Sequence, residues 1–92
     1  MNLLENQVAI VTGSGSGIGK TTALMFAEHG ARVMGADLDE KLAAETVAEI
    51  KAMGSEAVSI CGNLLDPEFP KQKVEATISA FGKLELLVNN AG

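Results

Sequence analysis

The stretch Thr12-Gly13-Ser14-Gly15-Ser16-Gly17-Ile18-Gly19 decides the fold of this chain. It follows an apolar run at 8–11 and precedes a segment at 20–29 whose composition is typical of a helix. A strand that ends in glycines and continues as a helix directs backbone N–H groups and the positive end of the helix dipole to one point. The stretch therefore predicts a phosphate-binding loop.

Three glycine patterns compete for this loop. The pattern GxGxxG does not fit, because Ile18 and Lys20 stand where its last glycine would have to be. The mononucleotide P-loop, GxxxxGK[ST], fits residues 14–21 except at its first position, which is Ser14. The pattern TGxxxGxG fits without a mismatch, at Thr12, Gly13, Gly17 and Gly19. We favour this third pattern, and keep as the alternative a P-loop that uses Lys20 and Thr21.

Composition excludes several classes of partner. A length of 92 residues allows one small domain, which we place at 1–92, and the net charge of −5 argues against nucleic acid or an anionic membrane surface. The lone Cys61 cannot form an internal disulfide, which suits a reducing compartment. With no secretory signal and no apolar run of roughly 20 residues, the expected location is cytoplasmic.

Apolar patterning and turn residues divide the chain into alternating elements. Strands are predicted at 7–12, 31–37, 56–61 and 84–89, and helices at 17–29 and 40–53, the second capped by Asp39. A third helix is predicted to open at 66–68, with Pro70 in its first turn or at its true start. Its buried stripe is expected at Val74, Ile78 and Phe81, and that of the second helix at Leu42, Val47, Ile50 and Met53.

This alternation predicts an α/β fold of parallel βαβ units with right-handed crossovers. We expect half of a Rossmann-type doubly wound sheet, βαβαβαβ, with strand order 3-2-1-4. Ligands of such sheets bind at the carboxyl ends of the strands, beside the switch point between the first and fourth strands. The glycine loop lies at that edge by construction.

Two motifs together resemble the short-chain dehydrogenase/reductase family. They are TGxxxGxG at 12–19 and the sequence Asn-Asn-Ala-Gly at 89–92, which matches the NNAG signature at the end of the fourth strand of these enzymes. The resemblance implies a dinucleotide cofactor, with Asn63 and the Leu64 backbone at the adenine and Asn90, Ala91 and Gly92 beside the adenosine ribose. The implied cofactor-binding residues are Gly13, Ser14, Ser16, Gly17, Ile18, Gly19, Asp37, Leu38, Asn63, Leu64, Asn90, Ala91 and Gly92.

The end of the second predicted strand indicates which dinucleotide is preferred. Asp37 stands near the spacing of about 20 residues at which a carboxylate accepts the ribose hydroxyls of NAD. The same carboxylate would repel the 2′-phosphate of NADP, and Ser16 stands where NADP-preferring relatives often carry a basic residue. NAD is therefore expected over NADP. The alternative is that Asp37 only belongs to a polar turn before Asp39.

The residues that would carry catalysis are not found. In this family a Ser hydroxyl and a Tyr-x-x-x-Lys pair relay a proton, and this chain contains no tyrosine. We interpret His29 as a solvated helix-end residue and Cys61 as a small buried hydrophobe, and no metal-ligand cluster is apparent. The first hypothesis is an NAD(H)-binding module that is inactive alone. The second is an alcohol or carbonyl oxidoreductase whose active site other polypeptide completes. A third, weaker hypothesis is a small nucleotide hydrolase that uses Lys20 and Thr21.

A homodimer is the expected assembly. The fourth strand, at 84–88, would form an apolar sheet edge, and the third helix would stand alone on its face of the sheet. Two copies could join these edges antiparallel into an eight-stranded sheet, or pack through their third helices.

Overall fold

The computed structural model describes residues 3–15, 17–63 and 65–88. Within these ranges, strands and helices alternate along the chain as β1 (Val8–Thr12), α1 (Gly17–Glu28), β2 (Arg32–Asp37), α2 (Glu40–Ala52), β3 (Ala57–Cys61), α3 (Phe69–Phe81) and β4 (Leu86–Val88). The predicted element order is therefore confirmed. The largest differences in bounds are at α3, which begins only at Phe69, and at β4, which is three residues long.

All the strands pair in parallel in one sheet of order β3-β2-β1-β4, which confirms the predicted topology. Val11 of β1 lies beside Gly35 of β2 on one side and Val88 of β4 on the other. Glu85 also joins the start of β1 to the segment before β4. Its N–H donates to the Val8 carbonyl, and its Oε1 accepts from the Val8 N–H, each at 3.0 Å.

Helices α1 and α2 cover one face of the sheet. Val11 and Val33 of the strands form a buried cluster with Ala23 and Ala27 of α1 and Ile50 of α2. The alanines let α1 lie close to the sheet, so that every residue of β1 is buried. Each fully buried Val or Ile side chain contributes about 1.5–3 kcal/mol of transfer free energy.

Helix α3 covers only part of the opposite face. Side chains alternate along a strand, so Ile10 and its register partners Met34 and Leu87 lie on the face opposite Val11. Ile10 and Met34 are buried, whereas Leu87 is 58% exposed. The β4 side of this face is thus an open apolar surface in the part of the chain that the structure describes.

The predicted buried stripe of α3 is wrong. The buried residues of this helix are Phe69, Lys73 and Thr77, while Val74 is 36% and Ile78 48% exposed. Successive helical residues are about 100° apart, so a one-residue shift turns the face by that angle. Val74 and Ile78 are apolar, but α3 packs on the sheet through the row of residues one position earlier, which includes Lys73 and Thr77.

The predicted stripe of α2 is right in part, because Ile50 is buried, Val47 packs against the core and Leu42 is half-buried. Ala43, Thr46 and Ile50 are its buried residues, and Met53 is exposed. The predicted N-cap of α2 is confirmed, because the Asp39 carboxylate accepts a hydrogen bond from the Leu42 N–H at 3.1 Å.

No described helix combines the length and the apolar character that a membrane crossing requires.

Candidate functional site

The glycine loop joins the end of β1 to the first turn of α1. Gly13 and Gly17 have positive φ values of 64° and 57°, which glycine adopts without steric cost. A Cβ at Gly17 would have no atom within 4 Å, so this position faces open space. Ile18 beside it is 75% exposed, whereas Gly19 is buried against the body of the protein. The loop thus offers a bare backbone surface at the positive end of α1.

Gly15 is a required glycine that the sequence motif treats as variable. A Cβ at this position would lie 2.6 Å from Leu42 Cβ and 2.8 Å from Asp37 Oδ2. Its N–H donates to Asp37 Oδ2 at 2.8 Å. The glycine loop and the end of β2 therefore meet through a direct contact between Gly15 and Asp37. The close approach could be found only from the folded chain.

The Asp37 carboxylate is held by two backbone N–H groups. Oδ2 accepts from Gly15 as described, and Oδ1 accepts from the Asp39 N–H at 2.9 Å. A carboxylate offers about four acceptor positions, so about two remain for other donors. Asp37 and the exposed Leu38 line an open groove that continues along the first turn of α2 to Ala44.

Ser14 lies beneath the loop rather than on its surface. Its side chain is fully buried, and its Oγ has no hydrogen-bond partner among the described residues. A Cβ on Gly35 would lie 2.6 Å from this Oγ, so β2 has a glycine where the serine packs. The Ser14 N–H donates to the Ala36 carbonyl at 3.3 Å, and the Ser14 carbonyl accepts from Thr46 Oγ1 at 2.9 Å.

Asn63 follows β3 at the same edge of the sheet. It is exposed, and its Oδ1 accepts from the Leu65 N–H at 2.8 Å. The preceding Gly62 donates its N–H to the Asp37 carbonyl at 3.1 Å and packs against the Phe69 ring, which leaves no room for a Cβ. The structure thus brings the segment at 61–63 beside the end of β2.

The remaining predicted site residues are Ser16, Leu64, Asn90, Ala91 and Gly92, and they lie outside the described residues. The last described residue of β4 is Val88. Its carbonyl accepts from Thr12 Oγ1 at 3.3 Å, which brings the end of β4 to the start of the glycine loop.

The residues of the P-loop alternative are engaged elsewhere. Lys20 Nζ lies 2.8 Å from Glu49 Oε2 on α2, and this hydrogen-bonded carboxylate raises the pKa of Lys20. The Thr21 hydroxyl donates to the Gly17 carbonyl within α1 at 3.2 Å. A P-loop lysine instead reaches the phosphates over the loop. This geometry favours the dinucleotide interpretation.

Other chemistry is sparse at this edge. The prediction that Cys61 is a buried hydrophobe is wrong, because this residue lies at the exposed end of the edge strand β3, with its Sγ 3.1 Å from the Leu38 carbonyl oxygen. Among the described residues, no group of three His, Cys, Asp or Glu side chains is placed to hold a metal ion.

A parallel sheet of order 3-2-1-4 with a glycine loop between β1 and α1 defines the Rossmann-like class. The family model described as short chain dehydrogenase matches residues 7–92. The chain belongs to the short-chain dehydrogenase family, whose members use NAD or NADP.

Individual relatives agree with this assignment. The chain is 45% identical over 91 residues to a cyclohexanol dehydrogenase from Acinetobacter sp. (strain SE19), covering 99% of this chain and 36% of the relative. It is 48% identical over 88 residues to an uncharacterized oxidoreductase from Thermotoga maritima, covering 96% and 34%.

A solved structure gives the same picture. A hydroxysteroid dehydrogenase from Escherichia coli superimposes with a TM-score of 0.94 at 37% identity, over 97% of this chain and 38% of that one. The chain thus spans somewhat more than a third of the length of these proteins.

Proposed function

We propose that the chain is a single NAD-binding domain that holds the dinucleotide at the carboxyl edge of its sheet and prefers NAD to NADP. The observation that carries the proposal is the Asp37 carboxylate at the end of β2, held on the Gly15 N–H of the glycine loop at 2.8 Å. This contact joins the loop that we propose for the pyrophosphate to the carboxylate that we propose for the ribose.

The pyrophosphate is proposed to lie over Gly13 and Gly17. Both glycines have positive φ, and a side chain at Gly17 would project into open space where a ligand could approach the backbone. The N-terminus of α1 supplies partial positive charge at the same place. Ser14 is proposed to support this loop from below, since its side chain is buried.

The adenosine ribose is proposed to bind Asp37. The two acceptor positions left on its carboxylate match the two hydroxyls of an NAD ribose, whereas the 2′-phosphate of NADP would set like charges together. The groove beside Leu38 and the exposed Asn63 are proposed to hold the adenine. Leu64, Asn90, Ala91 and Gly92 retain the roles that the resemblance implies for them.

Calorimetric titration of the purified chain with NAD, NADP and ATP tests the proposal. We expect saturable binding of NAD, weaker binding of NADP by about 1–3 kcal/mol, and no preference for ATP over NAD. Tightest binding of ATP would support the P-loop alternative, and equal binding of NAD and NADP would remove the proposed role of Asp37.

The second candidate function is NAD-dependent oxidation of an alcohol or reduction of a carbonyl by a larger assembly. The names of the relatives favour it, since they include a cyclohexanol dehydrogenase and a hydroxysteroid dehydrogenase. The 92 residues contain no tyrosine to serve as the acid or base. We therefore expect the purified chain to oxidise no alcohol and reduce no carbonyl above background, as measured by NADH absorbance. Robust turnover by this chain alone would contradict the proposed binding module.

A homodimer and a reducing, cytoplasmic location complete the proposal. The exposed apolar side chains of Val74, Ile78 and Leu87 on the α3 face of the sheet support association with a second copy. The exposed thiol of Cys61 supports a reducing compartment.

A further inference from the structure

One peptide group of the glycine loop is bonded at both ends. The Ser14 carbonyl and the Gly15 N–H belong to the same planar unit and point in opposite directions. The carbonyl accepts from Thr46 Oγ1 at 2.9 Å, and the N–H donates to Asp37 Oδ2 at 2.8 Å. A side chain of α2 and a side chain at the end of β2 thus hold the plane between them.

The orientation of this peptide plane depends on the two hydrogen bonds. Residue 15 must be glycine, so no Cβ restricts the rotation of its backbone. A Cβ at Gly15 would collide with Leu42 and Asp37, yet its absence leaves the backbone free to rotate. A rotated plane would turn the Ser14 carbonyl oxygen toward the Asp37 carboxylate, where the two acceptors repel. Losing the bond to Thr46 therefore also alters the surroundings of Asp37.

Thr46 is placed for this role by its burial. Its side chain is 1% exposed, and its hydroxyl also lies 3.3 Å from the Leu42 carbonyl, one turn earlier in α2. A hydroxyl has one hydrogen to donate. We assign this hydrogen to the shorter contact, with the Ser14 carbonyl. The Leu42 carbonyl can instead accept the backbone N–H of residue 46, in the regular i→i−4 pattern of a helix.

We infer that Thr46 is a positioning residue for dinucleotide selectivity, acting on Asp37 through the Ser14–Gly15 peptide group. The inference rests on the proposed binding of NAD at Asp37. Thr46 reaches the proposed ligand site only from below, through its hydrogen bond to the Ser14 carbonyl. Its effect is expected on the ratio of NAD to NADP affinity, which a general loss of stability would not change.

The test compares Thr46→Val with Thr46→Ser in calorimetric titrations of both dinucleotides. Thr46→Val keeps the shape of the side chain but removes the hydroxyl, and we expect NAD affinity to fall about fivefold or more and the NAD:NADP ratio to fall with it. Thr46→Ser should keep the wild-type ratio. The matched control is Thr77→Val, which removes a buried hydroxyl that donates at 2.7 Å to the Lys73 carbonyl within α3. Its ratio should equal that of the wild type.

A second measurement needs no ligand. In the NMR spectrum, the Gly15 amide proton should move upfield and exchange faster in Thr46→Val, and stay in place in Thr46→Ser and Thr77→Val. A Thr46→Val chain with an unchanged NAD:NADP ratio would overturn the inference, whether or not the Gly15 amide moves. Failure of the wild type to bind either dinucleotide would instead refute the proposed function, and with it the link to selectivity. The Gly15 amide would then decide alone whether Thr46 orients the peptide group.

Discussion

At the scale of single residues, Asp37 has two different neighbours that restrict its carboxylate. Gly15 binds one oxygen and Asp39 the other, so the side chain cannot turn away from a ligand without losing both bonds. Charge-assisted hydrogen bonds of this kind contribute more than bonds between neutral groups. A 2′-phosphate would therefore meet a carboxylate in a fixed position.

Replacing Asp37 by alanine should remove the preference for NAD. NAD affinity should fall because the ribose hydroxyls lose their acceptor, and NADP affinity should fall less or rise because the like charge is gone. The expected change in the difference between the two binding free energies is about 1–3 kcal/mol, measured by calorimetry.

Asp39→Ala is the control for this substitution. It removes a neighbouring negative charge and the cap of α2, which should cost about 0.5–2 kcal/mol of stability, but it leaves Asp37 in place. An equal change of preference in both variants would mean that the total charge of the groove, and not Asp37, decides between the dinucleotides.

At the scale of elements, the unit of β1, glycine loop and α1 contains glycines of two kinds. Gly15 is enclosed by Leu42 and Asp37, whereas Gly17 faces open space. The first is needed for the loop to pack against β2 and α2. The second leaves the backbone accessible to a ligand.

Gly17→Val should abolish dinucleotide binding while the fold survives. The new side chain would occupy the proposed approach of the pyrophosphate, and the strain of a β-branched residue at a φ of 57° would lower stability without removing a core contact. Gly13→Val, also at positive φ, should lose binding in the same way. Circular dichroism reports the fold and calorimetry the binding.

Gly15→Ala tests the enclosed kind of glycine for comparison. It should lower the free energy of unfolding, because the new Cβ would collide with Leu42 and Asp37. A folded Gly17→Val chain with full affinity for NAD would contradict the proposed location of the pyrophosphate.

Helix α3 places a lysine against the sheet. Lys73 is 7% exposed, its Nζ lies 5.2 Å from the centroid of the Phe69 ring, and in the described part of the chain no carboxylate is within ion-pair distance. Burial lowers the pKa of Lys73 from its ordinary value of 10.5, because the charged form loses hydration. The unfolded chain therefore keeps this proton to higher pH than the folded chain does.

Between the lowered pKa of Lys73 and 10.5, the stability of the wild type should rise with pH relative to Lys73→Met. Below that window the difference in unfolding free energy between the two chains should be constant, since Lys73 is protonated in both the folded and the unfolded wild type. Urea unfolding from neutral to alkaline pH measures this difference. Lys71→Met, at an exposed position of the same helix, should instead parallel the wild type throughout. Parallel curves for Lys73→Met would contradict the effect of burial.

At the scale of the whole molecule, the two faces of the sheet are unequally covered. Among the described residues, helices α1 and α2 close one face, whereas α3 leaves Leu87 of β4 exposed on the other. In the described sheet β4 has one neighbour, β1, so its outer edge is available for pairing. Both features favour association with a second copy.

Light scattering at micromolar concentration should therefore find a dimer. An antiparallel pair of β4 strands satisfies both edges about a two-fold axis, whereas strict symmetry opposes a parallel pair. Leu86→Pro should dissociate a dimer joined through β4, because proline cannot donate to the added ladder and also weakens the strand itself.

Ile78→Lys tests the alternative dimer, in which the two copies pack through their α3 helices. It introduces a charge on the exposed side of α3 and should dissociate a dimer packed through the third helices while leaving the strand junction intact. A stable monomer in the wild type would exclude both arrangements.

Local pattern was sufficient for the architecture and for part of the site. The glycine stretch, the alternation of strands and helices, and Asp37 at the end of a strand are features of contiguous sequence. The helix faces were predicted less well. Val74 and Ile78 of α3 are apolar and yet exposed, whereas Lys73 and Thr77 are buried together with Phe69. Periodicity gives the angle between residues, and only packing against a particular surface selects the face.

The sequence by itself determined the parallel sheet of order 3-2-1-4, since βαβ connections of this length are right-handed and the glycine loop must follow a central strand. Only the tertiary structure decided that Gly15 must be glycine, that Asp37 binds its N–H, and that Thr46 binds the carbonyl of the same peptide group. These contacts join residues 22 and 32 positions apart in the chain. No local pattern encodes them, because they depend on how closely α2 and β2 approach the loop once the core has packed.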